Sequence, residues 1–232
     1  MKKISTSFIA QRFLALVVCL SILSSCKKTE TDTTPYTAVA IYNASPTATT
    51  YDVYLGSTKL NNAALPLGGG VAYSQQVAGS YDVKFTIAGR GENAYTKTVN
   101  LTQNNYHSFY LIGKPNAFDG IFLTDDLSAT STTHAFVRFV NLSPDAPALA
   151  LAITGGAAVA TPQTYKGVSS FVQVAAGTYS FDVKDNLTAA VKTTLTGVNL
   201  VANGHYTIFA NGLIVPTSAT EIALGAQIVV NK

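Results

Sequence analysis

Apolar residues along most of the chain recur at every second position, with polar residues between them. Residues 81–87 read YDVKFTI, and the equivalent residues 179–184 read YSFDVK. A period of two is typical of a β-strand with one buried face. Gly, Asn and Pro separate such runs at short intervals, and no segment has the apolar stripe of a long amphipathic helix. The pattern predicts an all-β protein built of antiparallel sandwiches.

The sequence also repeats itself with an offset of about 98 residues. Three pairs of segments carry the repeat: AIYNASP at 40–46 with RFVNLSP at 138–144, VAGSYDV at 77–83 with AAGTYSF at 175–181, and VNLTQNNYHSFYLIG at 99–113 with VNLVANGHYTIFANG at 198–212. This period exceeds the roughly 20–50 residues of solenoid repeats, so each copy should be a domain with its own core.

The repeat sets the predicted domain boundaries. Residues 36–127 and 134–232 form two sandwiches in tandem, and residues 128–133, which read SATSTT, join them. We expect both to fold independently, because roughly 90–100 residues are enough for a core without disulfides. Matched apolar positions should fill the cores: Val39, Ile41, Val53, Leu55, Val99 and Leu101 in the first, and Val137, Phe139, Leu151, Ile153, Val198 and Leu200 in the second.

Two local motifs predict specific turns. Gly79 and Gly177 each precede a hydroxyl residue and a Tyr, which favours a turn with a positive φ at the glycine. Residues 200–206, LVANGHY, have the spacing of a tyrosine corner, in which the Tyr206 hydroxyl bonds back to the turn backbone. The first copy has His107 at the matched position, so this prediction does not extend to it.

Residues 1–25 have the pattern of an export signal. Three basic residues precede an apolar run over residues 13–23, which has the length of a signal-peptide core and is too short to span a bilayer. The run ends in Leu-Ser-Ser-Cys at residues 23–26, an ending that resembles the lipobox of bacterial lipoproteins. Cleavage there would leave Cys26 as a lipidated first residue. The alternative is an incidental thiol beside an ordinary cleavage site.

A lipidated Cys26 predicts membrane attachment through acyl chains, since each buried methylene contributes roughly 0.8 kcal/mol. The other cysteine, Cys19, lies in the cleaved segment, so no disulfide can form. By resemblance to such lipoproteins, Lys27 instead of Asp after the cysteine implies the outer membrane, on its periplasmic or its extracellular face. Residues 27–35 read KKTETDTTP and form a polar tether, in which residues 32–34 are plain linker or an O-glycosylation signal.

Charge excludes one large class of partner. The chain has 15 basic and 12 acidic residues, and the signal peptide removes three bases and no acid, which leaves the mature chain neutral. A neutral surface cannot supply the basic stripe that nucleic acids require. Low charge with many aromatic residues also argues against disorder.

Candidate catalytic and metal-binding residues are few. The mature chain has no free thiol and no GxSxG motif, and its histidines are His107, His134 and His205. His107 and His205 are one step out of register in the repeat, so they should face opposite sides of their sheets. Asp125-Asp126 is the nearest approach to a calcium loop, but a strand exit or an interdomain contact explains the pair better. We therefore assign no catalytic, metal or cofactor residue, and we expect no enzyme activity.

Tyrosine is distributed unevenly, with nine of the 12 tyrosines in the first copy. Tyr54, Tyr106 and Tyr110 alternate out of phase with the core residues beside them. Such tyrosines are either exposed, where a flat ring with a polar hydroxyl suits recognition of protein or glycan, or packed on a second sheet.

At its NxSP motifs and GxY turns, most clearly at residues 141–147 (NLSPDAP), the sequence resembles the bacterial domain of unknown function 4397. Two copies would cover nearly all of residues 36–232, and the second is the closer match. The resemblance implies tandem immunoglobulin-like sandwiches in an exported or lipid-anchored protein. It supplies no catalytic residue and no ligand.

We therefore expect a lipid-anchored envelope protein that acts as a non-catalytic interaction or structural module. The alternative is a glycan-binding accessory lipoprotein at the cell surface. The expected partners are the membrane, through Cys26, and an envelope protein or glycan. The loops at residues 43–50 and 141–147 lie at equivalent ends of the copies. Only the second loop has an Asp and a second Pro, so the copies should not bind one partner equally.

Overall fold

The computed structural model describes residues 34–232, and the predicted signal peptide, Cys26 and most of the predicted tether lie outside the described residues. The described chain contains sixteen β-strands, and Pro35–Lys232 forms one compact unit. No helix in this part of the chain is long and apolar enough to cross a membrane.

The strands fall into two series of eight. The first series is β1 Tyr36–Asn43, β2 Tyr51–Leu55, β3 Thr58–Lys59, β4 Gly70–Val77, β5 Gly79–Ile87, β6 Asn93–Leu101, β7 Tyr106–Ile112 and β8 Asp119–Asp125. The second series is β9 His134–Asn141, β10 Leu149–Ile153, β11 Ala158–Gln163, β12 Val172–Ala175, β13 Gly177–Asp185, β14 Val191–Leu200, β15 His205–Asn211 and β16 Gly225–Val230.

Each series forms a sandwich of two four-stranded sheets. The inner sheets have the strand orders β4-β1-β7-β8 and β12-β9-β15-β16, and the outer sheets have the orders β3-β2-β5-β6 and β11-β10-β13-β14. Every strand of the second sandwich thus occupies the place of the strand eight positions earlier. Residues 126–133 join the sandwiches and form no strand. The predicted all-β architecture of two sandwiches is confirmed, and the topology repeats as the sequence does.

The sequence predicted antiparallel sandwiches, but each inner sheet also contains one parallel pair of strands. β1 pairs with β7 in parallel, with Val39 opposite His107, and β9 pairs with β15 in parallel, with Val137 opposite Tyr206. The first and seventh strands of each sandwich run in the same direction and become neighbours. Alternation of apolar residues reports which face of a strand is buried, and it carries no information on the direction of the neighbouring strand.

Each sandwich has its own core between its inner and outer sheets. Of the twelve residues predicted to fill the two cores, all but Ile153 are buried, and Ile153 is half-buried against the second core. Tyr51, Phe85, Phe109 and Phe181 complete the fully buried aromatic part of these cores. The period-two pattern therefore identified the buried face of each strand correctly.

A third core lies between the sandwiches, where the inner sheets bury their other faces against each other. It consists of Ala40, Tyr42, Ala44, Tyr110, Ile112, Val140, Leu142 and Phe209. Tyr110 of the first sandwich meets Phe209 of the second edge-on, with ring centroids 5.5 Å apart. The inner sheets are therefore buried on both faces over much of their length, and the molecule is four sheets deep.

A buried ion pair lies beside the third core. The guanidinium of Arg138, on β9, donates to the carboxylate of Asp125, at the end of β8, and their side chains are 4% and 0% exposed. The other carboxylate oxygen accepts hydrogen bonds from the hydroxyls of Ser108, at 2.6 Å, and Tyr73. All of the charged oxygens are thus satisfied, as burial of a carboxylate requires.

The same network closes into a ring through the second sandwich. Asn231 donates to the Tyr73 hydroxyl at 2.9 Å, and Thr207 donates to the Asn231 side-chain oxygen at 2.6 Å. Arg138 Nε in turn donates to the Thr207 hydroxyl at 2.8 Å. The ring therefore crosses between the two sandwiches twice, once from Arg138 to Asp125 and once from Asn231 to Tyr73.

Both sandwiches contain the turn that the sequence predicted only for the second. The Tyr206 hydroxyl accepts a hydrogen bond from the Val201 amide at 3.1 Å, as expected of a tyrosine corner. In the first sandwich Nε2 of His107 accepts from the equivalent Thr102 amide, also at 3.1 Å. An imidazole nitrogen can accept the same bond as a phenol oxygen, so the function of the corner persists where its usual residue is absent.

The GxY turns also repeat in detail. Gly79 and Gly177 have φ values of +156° and +157°, so the predicted positive φ is confirmed. The hydroxyl two residues later then reaches back across the turn: Tyr81 donates to the Val77 carbonyl and Tyr179 to the Ala175 carbonyl, each at 3.0 Å.

Independent folding of the sandwiches stays a prediction, and the third core adds a condition to it. Cleavage within residues 128–133 should leave two folded fragments that remain bound to each other, because separation would expose the third core to water. Limited proteolysis followed by size-exclusion chromatography measures this. Co-elution in native buffer and separation in concentrated urea are expected, whereas fragments that separate in native buffer would contradict the prediction.

Candidate binding surface

The inward-turned face of the first inner sheet extends beyond the third core and is open to solvent there. Tyr36 and Tyr106 are 45% and 46% exposed on this face. Eight residues border the open area, which is termed the tyrosine surface: Tyr36, Thr37, Ala38, Tyr73, Gln75, Asn104, Asn105 and Tyr106.

Strand register brings these side chains together. On the sheet, Ala38 lies between Gln75 of β4 and Tyr106 of β7, and Tyr36 lies opposite Val77. Tyr36 and Ala38 alternate along β1 with buried Thr37 and Val39, so they share the face that carries the third core. The tyrosine surface is therefore the uncovered continuation of the interface between the sandwiches.

The surface contains two adjoining depressions. The larger has a volume of about 560 Å³ and is lined by uncharged side chains, among them Tyr36, Tyr73 and Gln75. The smaller has a volume of about 370 Å³ and reaches Asp126 and Lys232. Asn104, Asn105 and Tyr106 line both depressions, so a ligand that crosses Tyr106 would contact both.

The loop before β7 holds one border of the surface in place. Asn104 has a φ of +61°, a conformation that Asn tolerates better than most residues. The Asn105 side chain donates to the Thr102 hydroxyl at 2.9 Å, and the Thr37 hydroxyl donates to the Asn105 carbonyl at 2.8 Å. These bonds fix the loop to the start of β1 and fix the start of β7, which carries Tyr106.

The tyrosines of the surface differ in what their hydroxyls do. Tyr73 directs its hydroxyl into the buried ring of polar groups, and burial together with the Asp125 carboxylate raises the pKa of Tyr73, so the hydroxyl keeps its proton. The ring of Tyr73 contacts the ring of Tyr106 edge-on, with the ring centroids 5.3 Å apart. Among the described residues, no hydrogen-bond partner is found for the hydroxyls of Tyr36 and Tyr106 or the side-chain amides of Gln75 and Asn104. These groups are free to bind a ligand.

In the second sandwich, the position equivalent to Tyr106 is covered by aromatic side chains. By strand register His205 is the equivalent of Tyr106, and Phe136 is the equivalent of Ala38. His205 is fully buried, stacks on Phe136 with ring centroids 4.6 Å apart, and meets Phe171 edge-on at 5.2 Å. The methyl group of Ala38 cannot cover Tyr106 as the ring of Phe136 covers His205. Only the first sandwich therefore keeps this area open.

The histidines have structural environments. His107 is buried, stacks on Phe122 at 4.9 Å and makes the corner hydrogen bond, while His205 lies on the opposite face of its sheet, as predicted. His134 bonds to the hydroxyl of the adjacent Thr133 at 2.9 Å.

The paired acids in LTDDL have separate roles. Asp125 makes the interdomain contact that was one of its two predicted explanations, and exposed Asp126 accepts hydrogen bonds from the amide and hydroxyl of Ser128. In the described part of the chain, no group of three or more His, Cys, Asp or Glu residues could hold a metal ion.

The tyrosines of the first copy divide between the two predicted explanations. Tyr106 is exposed, whereas Tyr110 is fully buried, and Tyr54 is half-buried beneath the Lys84 ammonium, 4.6 Å from its ring centroid. Tyr110 is packed against the other sandwich and not against the second sheet of its own. Sequence reasoning missed this because it treated the two sandwiches as separate bodies.

The NxSP loops are buried turns. Asn43 and Asn141 accept hydrogen bonds from the Ser45 and Ser143 amides, and all four residues are fully buried. The first loop also packs on the second sandwich, where the Ala48 amide donates to the Thr220 carbonyl at 2.8 Å. The extra Asp of the second loop, Asp145, accepts from the amides of Ile214 and Val215, so it serves its own sandwich.

One family model matches the chain. It is described as Domain of unknown function (DUF4397), and it matches residues 37–152, half of the chain. The match covers the first sandwich and extends into β9 and β10 of the second. No curated protein matches the chain.

Burial gives His205 a distinct titration behaviour. Burial lowers the pKa of His205, the Asn203 carbonyl and the Asp126 carboxylate oppose this shift, and the positive charges of Lys232 and Arg138 add to it. The folded protein therefore disfavours the protonated ring. Its contribution to stability is present above the unfolded-state pKa of about 6.5 and is lost as the pH falls through the lower folded-state value.

We expect the free energy of unfolding to decrease as the pH falls below about 6.5, and to decrease less in His205→Gln than in the parent protein. Urea unfolding across this pH range measures both values. A pH profile that His205→Gln leaves unchanged would contradict the prediction.

Proposed function

The chain belongs to the DUF4397 family, a family of unknown function, and we propose that it is a lipid-anchored protein of the bacterial outer membrane that binds a partner without catalysing a reaction. The proposed binding site is the tyrosine surface of the first sandwich. We further propose that the second sandwich is a second copy of the family domain, because strand order, NxSP loop and GxY turn all repeat.

The sequence supports the anchor. The Leu-Ser-Ser-Cys ending follows an apolar run of signal-peptide length, and Lys27 follows the cysteine. Acyl chains on Cys26 would hold the protein at the membrane, and the polar residues of the tether would separate the sandwiches from the bilayer.

The contrast between Tyr106 and His205 carries the binding proposal. The two residues occupy equivalent places in one chain, and one is 46% exposed while the other is fully buried under aromatic rings. A fold that can close this place with a Phe has instead an Ala at position 38 and two exposed tyrosines. Exposed aromatic groups beside free amides are typical of recognition surfaces.

The placement of potential catalytic groups favours a non-catalytic role. General acid or base catalysis needs a titratable group within hydrogen-bond reach of a substrate. His107 is committed to the Thr102 amide, and His205 is enclosed by Phe136 and Phe171. The tyrosine surface offers uncharged hydroxyls and amides, which suit binding better than proton transfer.

Lipidation is tested by metabolic labelling with a clickable palmitate analogue. We expect the wild-type protein to be labelled and to fractionate with the outer membrane, and Cys26→Ala to lose the label and the membrane attachment. Cys19→Ala is the matched control and should keep both, since residue 19 would be removed with the signal peptide. Label that persists in Cys26→Ala would contradict the anchor.

Binding through the tyrosine surface is tested by photo-crosslinking on intact cells. A photoreactive phenylalanine analogue at position 106 should form crosslinked products, whereas the same group at Leu187, which is 86% exposed on the second sandwich, should not. Products of either protein or glycan composition support the proposal. Equal crosslinking at the two positions, or none at position 106, would contradict it.

A further inference from the structure

We propose that the ligand of the tyrosine surface is a neutral oligosaccharide, with one sugar ring on the exposed face of Tyr106 and the chain running toward Tyr36. This inference rests on the proposed binding role of the same surface and adds the chemical class of the ligand. The choice follows from three properties of the surface, namely its flat aromatic groups, its uncharged polar groups and its small size.

The aromatic groups suit the apolar face of a sugar ring. The ring of Tyr106 contacts the ring of Tyr73 edge-on, and the Tyr73 hydroxyl is fixed in the buried ring of polar groups. The neighbouring Ala38 has no side chain that could cover Tyr106. A preformed, rigid aromatic platform loses little entropy when a ligand stacks on it.

The polar groups suit sugar hydroxyls, each of which both donates and accepts hydrogen bonds. The side-chain amides of Gln75 and Asn104 offer both kinds of group, and so do the hydroxyls of Tyr36 and Tyr106. No charged side chain lines the larger depression. A phosphate or uronic acid would need a cation there, so the surface favours a neutral sugar over an anionic one.

Size favours a glycan over a protein. A stable protein interface buries about 800 Å² on each partner and has a large apolar centre. The larger depression, of about 560 Å³, has the dimensions of a small-molecule site, and amides border it. Beside it on the sheet, the aliphatic side chain of Val77 lies opposite Tyr36. Tyr36 and Tyr106 both line this larger depression, so the ligand should extend over more than one sugar unit along it.

The test uses the detergent-solubilised full-length protein on an array of neutral β-glucan, xylan and mannan oligosaccharides and of uronic-acid oligosaccharides. Binding to at least one neutral family and to no uronic-acid family is expected. Calorimetric titration with the bound neutral oligosaccharide then gives its dissociation constant. Binding only to the uronic-acid series would overturn the proposal.

Substitutions locate the binding. Tyr106→Ala and Tyr36→Ala should each raise the dissociation constant at least about tenfold, which corresponds to about 1.4 kcal/mol. Ala38→Phe keeps both tyrosines and should weaken binding as well, because it supplies the ring that closes the equivalent place in the second sandwich. Tyr54→Ala removes a half-buried tyrosine of the outer sheet and should leave the dissociation constant unchanged. Equal losses in Tyr54→Ala and Tyr106→Ala would overturn the location.

The array and the crosslinking experiment separate the two proposals. A protein crosslinked at position 106, with no oligosaccharide bound on the array, would overturn the glycan inference and leave the binding role intact. No crosslink at position 106 and no oligosaccharide bound would overturn both. A neutral oligosaccharide whose binding depends on Tyr106 supports both.

Discussion

The buried ion pair between Asp125 and Arg138 determines how the two halves of this molecule are joined. Asp125 ends the last strand of the first sandwich, Arg138 lies in the first strand of the second, and both are almost fully removed from water. Removing one partner from such a pair costs about 3–5 kcal/mol, because the remaining charge stays buried without compensation. Sliding or separation of the sandwiches would break this pair and therefore has a high free-energy cost. This constraint sets the position of the third core, and the third core sets which part of the inner sheet stays exposed.

The tyrosine surface depends on that arrangement. Tyr36 and Tyr106 share a sheet face with Ala40 and Tyr110, but the first pair lies beyond the edge of the second sandwich and the other pair lies beneath it. The polar ring borders the two regions and holds Tyr73, which in turn supports Tyr106. One sheet face therefore serves both interdomain packing and the proposed recognition, and the interface keeps the recognition surface rigid.

The sequence predicted the strands and the core of each sandwich, because the alternation of apolar and polar residues directly indicates burial of one face. It did not predict the third core, although a signal was present. Residues 38–42 read AVAIY and residues 109–112 read FYLI, and such continuous apolar runs are typical of strands that are buried on both faces. The partner of Arg138 could not be found in this way, since pairing depends on how two sheets meet. The tyrosine surface likewise depends on what the second sandwich leaves uncovered, and the buried His205 is recognised as its counterpart only through strand register.

A double-mutant cycle across the ion pair tests most directly whether it couples the sandwiches. Urea unfolding of the parent, Asp125→Asn, Arg138→Met and the double variant gives the four free energies. We predict one cooperative transition in the parent, a loss of about 3–5 kcal/mol in Arg138→Met, and a double variant that is markedly more stable than the sum of the single losses implies. Additive losses, or separate transitions for the two sandwiches in the parent protein, would contradict the account.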